Sequence, residues 1–355
     1  MLTPRKAILD MAPYSPPSSG REGKLRLDFN ENTLGCSPRV LAALIEKLSQ
    51  EQLSIYPEYE ATRRALSEFF QVPETQFAFT NGTDEAIQVL VHTYVGEGDE
   101  VLVLHPSYAM YRFYAEVAGA RVREIPYRAG DLAFPVEELI AAVTPATRAV
   151  LISNPNNPTG TAIGVGEVVR ILEAAPGAAV LIDEAYYDFY GVTALGLIGQ
   201  YANLFVSRTF SKAHGLAALR AGVLFSRAEN VAYLRKSQSP YSVNAVAAIA
   251  VRAAVEDREY LANYVKQALE ARELLYQGFE RRGIRYWRSQ GNFVLFEAGP
   301  RSIEIRDALR ARGVLVRDRS YELAGTVRVT AGTPQQVERF FSALDEVWPD
   351  RKSVV

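Results

Sequence analysis

The chain has 355 residues, of which 48% are hydrophobic and 23% are charged. These values are typical of a globular protein and exclude a wholly disordered, collagen-like or coiled-coil chain. Lys and Arg together number 39 and Asp and Glu 41, so no overall positive field would hold the chain on nucleic acid or on an anionic membrane. We therefore expect small-molecule partners, with no nucleic acid and no membrane among them.

Cysteine and histidine are scarce. One cysteine, Cys36, and three histidines, His92, His105 and His214, lie far apart in the sequence. They supply neither a disulfide framework nor a Cys/His metal cluster, so we expect no metal. The N-terminal residues lack the apolar core of a signal peptide, and no apolar stretch reaches the roughly 18 residues that a membrane helix needs. We expect a reducing, cytoplasmic location.

Short apolar runs alternate with segments of helical period between residues 77 and 225. The runs, which we interpret as strands, are Phe77–Thr80, Val101–Leu104, Val122–Ile125, Ala149–Ser153, Val180–Ile182, Leu204–Val206 and Val223–Phe225. The segments with helical period are Thr83–Val95, Tyr108–Val117, Val136–Val143 and Val165–Glu173. Such alternation predicts an α/β fold, in which a mainly parallel sheet is covered on both faces by helices.

A long helix-prone stretch, Val243 to Arg281, follows and is predicted to bridge two domains. After it comes a compact α+β set with strands at Phe293–Phe296, Val314–Arg317 and Val327–Thr330 and helices at Ile303–Arg312 and Pro334–Val347. Residues 1–30 are rich in Pro and Ser and cannot form a core alone, so we expect them to lie across other parts of the molecule. We divide the chain into an N-terminal arm (1–30), a large domain (31–255) and a small C-terminal domain (256–355).

Two of the predicted strands end in residues that can bind a ligand. Ligands of open α/β sheets bind beyond the carboxyl ends of the strands. Phe77–Thr80 is followed by Gly82 and Thr83, whose free N–H groups at a helix start can hold a phosphate, although an ordinary helix cap has the same pattern. Asn157, in NPNNPTG, can present its amide to a polar group, although alone this segment is only a loop.

Two further strand ends carry charge. Asp183 and Glu184 directly follow Val180–Ile182, and a carboxylate near a buried sheet end needs a cationic partner unless it caps a helix. In RTFSKAHGLAALR, hydroxyl and cationic side chains follow Leu204–Val206 and can surround a phosphate, namely Thr209, Ser211, Lys212 and Arg220. A lysine at such a strand end indicates chemistry rather than a solvated surface.

Seven sequence blocks together carry a family resemblance. In chain order they are TNGTDEA, HPSYAMY, NPNNPTG, DEAYYDF, RTFSKAHGLAALRAG, GNFVLF and VRVTAGT. They resemble the pyridoxal-phosphate (PLP) dependent aminotransferases of fold type I, and more narrowly the histidinol-phosphate aminotransferases. The resemblance implies a fold of the aspartate-aminotransferase type, with a large PLP-binding domain and a smaller α+β domain. It also implies a homodimer with two active sites at the subunit interface.

The resemblance implies the roles of the residues at the cofactor. Lys212 matches the lysine that forms a Schiff base with the cofactor aldehyde, and Asp183 matches the partner of the pyridine nitrogen. Asn157 and Tyr186 match the donors to the ring hydroxyl oxygen, and Tyr108 matches the aromatic ring stacked on the cofactor. The residues matching the phosphate site and its surroundings are Gly82, Thr83, Asp84, Thr209, Ser211 and Arg220, with Tyr56 from the other subunit.

The resemblance also implies four substrate-binding residues. Arg328 matches the arginine that takes the substrate carboxylate, and Arg317 a second arginine that helps to hold a substrate phosphate. Tyr14 matches a tyrosine over the same pocket, and Asn32 lies in a segment near the substrate. The loop between the two arginines is short for the family and contains Glu322, whose carboxylate we expect to repel a phosphate dianion.

The sequence also departs from the family elsewhere. The family's usual N-E-N-P-Y-G is replaced here by Asn30-Glu31-Asn32-Thr33-Leu34-Gly35, and His214 and Ala218 stand where Phe and Gly are usual. None of these residues belongs to the implied cofactor set. We therefore treat transamination as better supported than the identity of the substrate.

Several functions remain open from the sequence. We favour a transaminase that passes an amino group from histidinol phosphate to 2-oxoglutarate, giving imidazole-acetol phosphate and glutamate in histidine biosynthesis. The alternatives are an aromatic amino-acid aminotransferase of the same subfamily and a PLP-dependent decarboxylase or lyase. A regulator with an added DNA-binding domain is disfavoured because the motifs begin near residue 27, and a nicotinamide dehydrogenase because no G-x-G-x-x-G follows a strand.

Overall fold

A computed structural model of the chain describes residues 2–11 and 20–348. The helices are α1 (Lys6–Asp10), α2 (Pro38–Lys47), α3 (Gln50–Ser54), α4 (Glu60–Phe70), α5 (Gly82–Tyr94), α6 (Ala109–Val117), α7 (Val136–Ala142), α8 (Val165–Ala174), α9 (Tyr187–Tyr190), α10 (Ala228–Ser237), α11 (Ala245–Glu256), α12 (Arg258–Arg282), α13 (Ser302–Ala311) and α14 (Pro334–Val347). None of the helices within the described ranges is both long enough and apolar enough to cross a membrane.

The strands form three sheets of different size. They are β1 (Leu25–Arg26), β2 (Phe77–Thr80), β3 (Glu100–His105), β4 (Arg121–Pro126), β5 (Thr147–Ser153), β6 (Ala179–Asp183), β7 (Leu204–Thr209), β8 (Gly222–Phe225), β9 (Tyr286–Trp287), β10 (Phe293–Glu297), β11 (Val314–Leu315), β12 (Arg317–Asp318) and β13 (Thr326–Thr330). The largest sheet has seven strands in the order β2-β8-β7-β6-β5-β3-β4.

The seven-stranded sheet is mainly parallel, as predicted. Strands β3 to β7 run parallel to one another, and β8 runs antiparallel to both β7 and β2. Alternate residues face two different apolar clusters, so that Val150 and Leu151 of β5 pack on opposite sides of the sheet. Burial on both faces explains why these strands read as continuous apolar runs in the sequence.

The long helix-prone stretch is two helices rather than one. It breaks at Asp257, whose carboxylate accepts the backbone N–H of Tyr260 at 3.3 Å and so caps α12. An aspartate that bonds to the backbone in this way favours a helix start over a helix interior. Helix α11 packs on the large sheet through Val251, and α12 packs on the smaller sheet through Leu275 and Phe279. The domain bounds at 30/31 and 255/256 stay a prediction.

A smaller antiparallel sheet brings two arginine-bearing strands toward the large one. Its order is β12-β13-β10-β9, and α12 and α14 contribute Phe279 and Phe340 to the cluster that covers it. The N-terminal segment joins this unit, because β1 pairs in parallel with β11 and Leu27 O accepts the N–H of Thr330 at 2.9 Å. The chain then passes from Leu27 to Phe29, which lies at the cavity described next.

Candidate active site

A cavity of about 270 Å³ lies at the carboxyl ends of β5, β6 and β7, between the large sheet and strands β12 and β13. Most of the residues that the sequence singled out line it, namely Thr83, Tyr108, Asn157, Asp183, Tyr186, Thr209, Ser211, Lys212, Arg220, Arg317 and Arg328. The strand-end rule therefore located the cavity, because parallel strands deliver their last residues to one edge of the sheet.

Asp183 ends β6 as a buried carboxylate, only 2% exposed. It accepts hydrogen bonds from the Tyr111 and Ser207 hydroxyls, each at 2.8 Å, and among the described residues it forms no ion pair. Burial raises the pKa of this carboxyl to about 6. The neighbouring Glu184 differs, since Arg208 neutralises it at 2.7 Å. A ligand cation in the cavity would supply the counter-charge that Asp183 lacks.

Lys212 follows β7 and points into the same cavity. Its ammonium donates to the backbone oxygen of Phe29 at 2.9 Å and lies 5.8 Å from the centre of the Tyr186 ring. The phenol oxygen of Tyr186 accepts a hydrogen bond from the side-chain amide of Asn30 at 3.0 Å. Lysine and phenol are thus held by residues of the N-terminal segment.

One end of the cavity is built to hold an anion. Arg220 donates to Asp84 at 3.0 Å and to the Ser211 hydroxyl at 3.3 Å, and the Tyr108 hydroxyl donates to the other oxygen of Asp84 at 2.7 Å. Gly82 begins α5 with φ of +76°, and a Cβ there would lie 2.6 Å from Nη2 of Arg220. Glycine is therefore needed for the close approach of the guanidinium to the helix start.

Three further arginines line the cavity, namely Arg317, Arg319 and Arg328. Arg328 is buried, and it donates to the Asn157 side-chain oxygen and to the backbone oxygen of Asp28. Burial lowers its pKa to about 10. Arg317 stands over the Phe29 ring, with the guanidinium carbon 5.5 Å from the ring centre.

The expectation for Glu322 is corrected here. Its carboxylate forms an ion pair with Arg319, and both side chains are largely buried. Burial raises the pKa of Glu322 in spite of the pairing. Because the carboxylate is engaged by a guanidinium, it does not stand as a free negative charge against a bound anion.

Two predicted site residues, Asn32 and Tyr56, do not line the cavity. Asn32 does not line the cavity: its side-chain amide donates to Ala213 O at 2.9 Å and its oxygen accepts the N–H of Leu34 at 2.9 Å, which fixes the turn beside the lysine loop. Tyr56 is 74% exposed and stacks on Tyr241 with the ring centres 4.5 Å apart. Tyr14 lies outside the described residues.

Sequence reasoning missed the residues that support the predicted ones. Ser207 stands directly opposite Asp183 on the neighbouring strand, and Tyr111 is one helical turn beyond Tyr108. Arg319 lies two residues after Arg317, so an alternating strand pattern places both on one face. Strand register is needed to place Ser207 beside Asp183, and the helical period is needed to place Tyr111 near Tyr108.

The part of the chain that matches known proteins includes every residue that lines the cavity. Residues 22–344 match the family model of aminotransferase class I and II. The chain belongs to the aminotransferase class I and II family. A histidinol-phosphate aminotransferase of Symbiobacterium thermophilum is 37% identical over 358 residues, which cover 97% of this chain and 98% of that protein. The resemblance and the enzyme class predicted from the sequence, an aminotransferase, are thereby confirmed.

Solved structures share the fold of this chain. Histidinol-phosphate aminotransferase from Sinorhizobium meliloti, solved in complex with pyridoxal-5'-phosphate, has a TM-score of 0.86 and 24% identity, over 97% of this chain and 96% of that one. L-threonine-O-3-phosphate decarboxylase from Porphyromonas gingivalis has a TM-score of 0.79 and 23% identity, over 91% and 99%. The predicted fold class is confirmed, and the same fold also serves a decarboxylase.

Proposed function

We propose that the chain is a PLP-dependent histidinol-phosphate aminotransferase of histidine biosynthesis. It takes the amino group of histidinol phosphate and passes it to 2-oxoglutarate, giving imidazole-acetol phosphate and glutamate. The observation that carries the proposal is the charge of the cavity lining, which combines a lysine and an unneutralised carboxylate with the three arginines Arg317, Arg319 and Arg328. Relatives named histidinol-phosphate aminotransferase, which match nearly the full chain, support the proposal.

The cavity fits PLP at two points. Asp183 offers a buried carboxylate to a protonated ring nitrogen, and the hydroxyls of Tyr111 and Ser207 orient it without neutralising it. Gly82 and Arg220 form a cradle that a Cβ would fill. A phosphate there would take the guanidinium together with hydroxyl and helix N–H groups, which is the donor set that phosphate prefers.

The residues of the chain divide the work of the reaction. When bound, PLP supplies the electron sink for the charge that develops at the substrate Cα. Lys212 would move the proton of that carbon with its Nζ, while Asn157, bonded to Arg328, and Tyr186, bonded to Asn30, would orient the ring. Tyr108, whose hydroxyl donates to Asp84 at 2.7 Å, would cover the bound ring and exclude water.

The substrate end explains the choice of a phosphorylated amine. Arg328 is the more buried guanidinium and would bind the glutamate carboxylate or the substrate phosphate, whereas Arg317, opposite it on β12, is more exposed. A phosphate has enough charge and oxygen atoms to engage several guanidinium groups. A neutral aromatic side chain would leave them without counter-charge.

Two alternatives remain proposals of lower rank. The rings of Phe29 and Tyr321 at the cavity would suit an aromatic amino-acid aminotransferase. A decarboxylase or lyase would use the same cofactor residues, as the shared fold of the P. gingivalis decarboxylase illustrates. Both differ from the favoured reaction in product, so product analysis separates them.

We also infer that the chain acts as a homodimer in the cytoplasm. Large apolar side chains are exposed on α2, α3 and the residues after them, including Leu41, Ile45, Leu53, Ile55 and Tyr56. A patch of this kind is typical of a subunit interface. Across it Tyr56 would reach the phosphate of the partner's site. The single cysteine, Cys36, suits a reducing compartment.

Sedimentation tests the dimer. Ile45→Glu, at a position 75% exposed, should shift the protein toward monomer and lower its activity, because a charge enters an apolar contact. Ile303→Glu changes an exposed isoleucine of α13 in the same way and should leave the oligomeric state unchanged. Equal sedimentation of Ile45→Glu and the unsubstituted protein would count against this interface.

A half-reaction screen tests the activity. Purified holoenzyme is mixed with histidinol phosphate, glutamate or phenylalanine, one at a time, and the cofactor absorbance is followed in single turnover. We expect rapid conversion with histidinol phosphate and glutamate and slow conversion with phenylalanine. Fast conversion with phenylalanine alone would favour the aromatic aminotransferase, and release of carbon dioxide would favour a decarboxylase.

A further inference from the structure

Arg319 shares one face of the smaller sheet with two other arginines. Arg317 and Arg328 are directly opposed across β12 and β13, and the N–H of Arg319 continues the ladder by donating to Thr326 O at 3.0 Å. Arg319 directly follows β12, and its side chain lines the cavity together with those of the other two arginines. Like charges on adjacent strands repel each other, and this grouping is unfavourable unless an anion enters.

Two of the arginines are buried, and each has one guanidinium N–H without a hydrogen-bond acceptor among the described residues. Arg319 is only 7% exposed and Arg328 only 4%, and among the described residues the Nε–H of each has no hydrogen-bond partner. A buried guanidinium N–H without an acceptor is costly, and both belong to side chains that line the cavity. The two guanidinium groups at the cavity wall therefore suit an acceptor with several oxygen atoms.

The charge balance at this end points the same way. Among the described residues Arg319 pairs with Glu322, whereas neither Arg317 nor Arg328 forms an ion pair with a carboxylate. Glu31, which also lines the cavity, is engaged by Arg21 at 2.7 Å. The remaining positive charge exceeds what one carboxylate of a substrate would neutralise, and it suits a phosphate dianion.

We propose that Arg319 is a specificity-determining residue that binds the phosphate end of the substrate together with Arg317, and that Glu322 is the positioning residue that holds Arg319 in place. The inference rests on the proposed function and names the contact by which a phosphorylated substrate is recognised. It reverses the role expected for Glu322. The carboxylate orients the arginine that binds the phosphate rather than repelling the phosphate.

The structure accounts for the two roles separately. Arg319 lines the cavity, whereas Glu322 does not, and the two are joined by an ion pair at a spacing of three residues. A long arginine side chain loses much conformational freedom when it binds, and a fixed partner removes part of that cost beforehand. Glu322 thus acts on the substrate only through Arg319.

The first test substitutes Arg319 in the holoenzyme. Arg319→Gln should lower kcat/KM for histidinol phosphate about 10- to 100-fold, and should leave kcat/KM for unphosphorylated histidinol within about threefold, because only the phosphate loses a charge-assisted bond. Arg301→Gln is the matched control, since Arg301 forms an exposed pair with Glu304 at the same three-residue spacing. It should change neither value.

Removal of Arg319 alone leaves Glu322 buried without a partner and can unfold the loop. The double variant Arg319→Gln/Glu322→Gln removes both charges and keeps the test valid. It should show the same selective loss for histidinol phosphate. A double variant that loses nothing, or that loses equally with histidinol, overturns the role of Arg319.

The second test separates position from charge at Glu322. Glu322→Ala should raise KM for histidinol phosphate several-fold with kcat unchanged, because Arg319 is no longer held. Glu322→Gln keeps an oxygen that accepts the Arg319 N–H and should restore KM. If both variants behave like the unsubstituted enzyme, or both lower kcat for histidinol and histidinol phosphate alike, Glu322 does not position Arg319.

Inorganic phosphate distinguishes failure of the inference from failure of the proposed function. It should inhibit the half-reaction with glutamate competitively, and Arg319→Gln should weaken this inhibition about tenfold or more. An enzyme that ignores histidinol phosphate but shows Arg319-dependent inhibition refutes the proposed function and retains the anion contact. An Arg319→Gln variant that converts histidinol phosphate as well as the unsubstituted enzyme refutes the contact and retains the function.

Discussion

Arg317 and Arg328 lie directly opposite each other on the antiparallel strands β12 and β13. Two guanidinium groups at paired positions repel each other, so the sheet is less stable here than with a neutral pair. Arg328 is also buried and has its pKa lowered to about 10. The arrangement becomes favourable once an anion lies between the two groups, which links the register of the smaller sheet to substrate binding.

The two arginines should differ in what they recognise. Arg317→Ala should lower kcat/KM for histidinol phosphate about 10- to 100-fold and that for glutamate much less, since only the phosphate engages both groups. Arg328→Ala should lower both values. Steady-state kinetics with each substrate, beside the exposed control Arg301→Ala, measures the difference. Equal losses for both substrates in Arg317→Ala would favour the aromatic aminotransferase.

Lys212 should carry the cofactor covalently. Lys212→Ala should reduce turnover to less than about one-hundredth of the original rate, because the variant loses both the covalent attachment and the proton carrier. Borohydride reduction of the unsubstituted holoenzyme followed by peptide mass analysis should place the cofactor on Lys212. Lys236→Ala, on the surface beside Tyr233, serves as the control and should keep full activity. Higher residual activity at equal cofactor occupancy contradicts the assignment.

Asp183 should make the stability of the cofactor-free protein depend on pH. Its carboxyl has a pKa of about 6 in the folded protein against 3.8 as the ordinary value. The folded state binds this proton more tightly than the unfolded state, so the stability that it contributes is fully present below pH 3.8 and is lost as the pH rises through about 6.

Asp183→Asn removes that dependence. As the pH rises from about 4.5 to about 7.5, the cofactor-free unsubstituted protein should lose about 1–3 kcal/mol of unfolding free energy that the variant keeps. This loss corresponds to about 1.4 kcal/mol per unit of pKa. Urea titrations at both pH values measure this change, and the exposed Asp307→Asn is the control.

Asp183→Asn should also slow the half-reaction, because its activation barrier should rise by several kcal/mol. An unchanged single-turnover rate would rule out the role at the ring nitrogen.

Gly82 should control cofactor affinity through Arg220. Gly82→Ala places a Cβ 2.6 Å from Nη2 of Arg220 and forces the guanidinium away, so PLP should bind about 10- to 100-fold more weakly to the cofactor-free protein. Gly98→Ala has a similar φ, +83°, with no atom within 4 Å of the added Cβ. It should cost stability but not affinity. Equal affinities in absorbance titrations of the two variants would contradict the cradle.

Much of the fold and of the site follows from local patterns. Apolar runs predicted the seven strands of the large sheet, because burial on both faces demands continuous apolar sequence. Polar residues at the strand ends predicted where Asp183 and Lys212 lie, since parallel strands end at a common edge. The end of β7 was missed because Ser207, Arg208 and Thr209 are polar yet buried.

Only the tertiary structure decided which side chains meet across distant parts of the chain. Arg328 donates to the backbone oxygen of Asp28, and Lys212 to that of Phe29, although the residues of each pair are far apart in sequence. The Arg319–Glu322 pair is local in sequence, but its burial at the cavity depends on the register of β12 against β13. Periodicity determines which face of a strand a residue takes, whereas the charges it contacts depend on how separate elements pack.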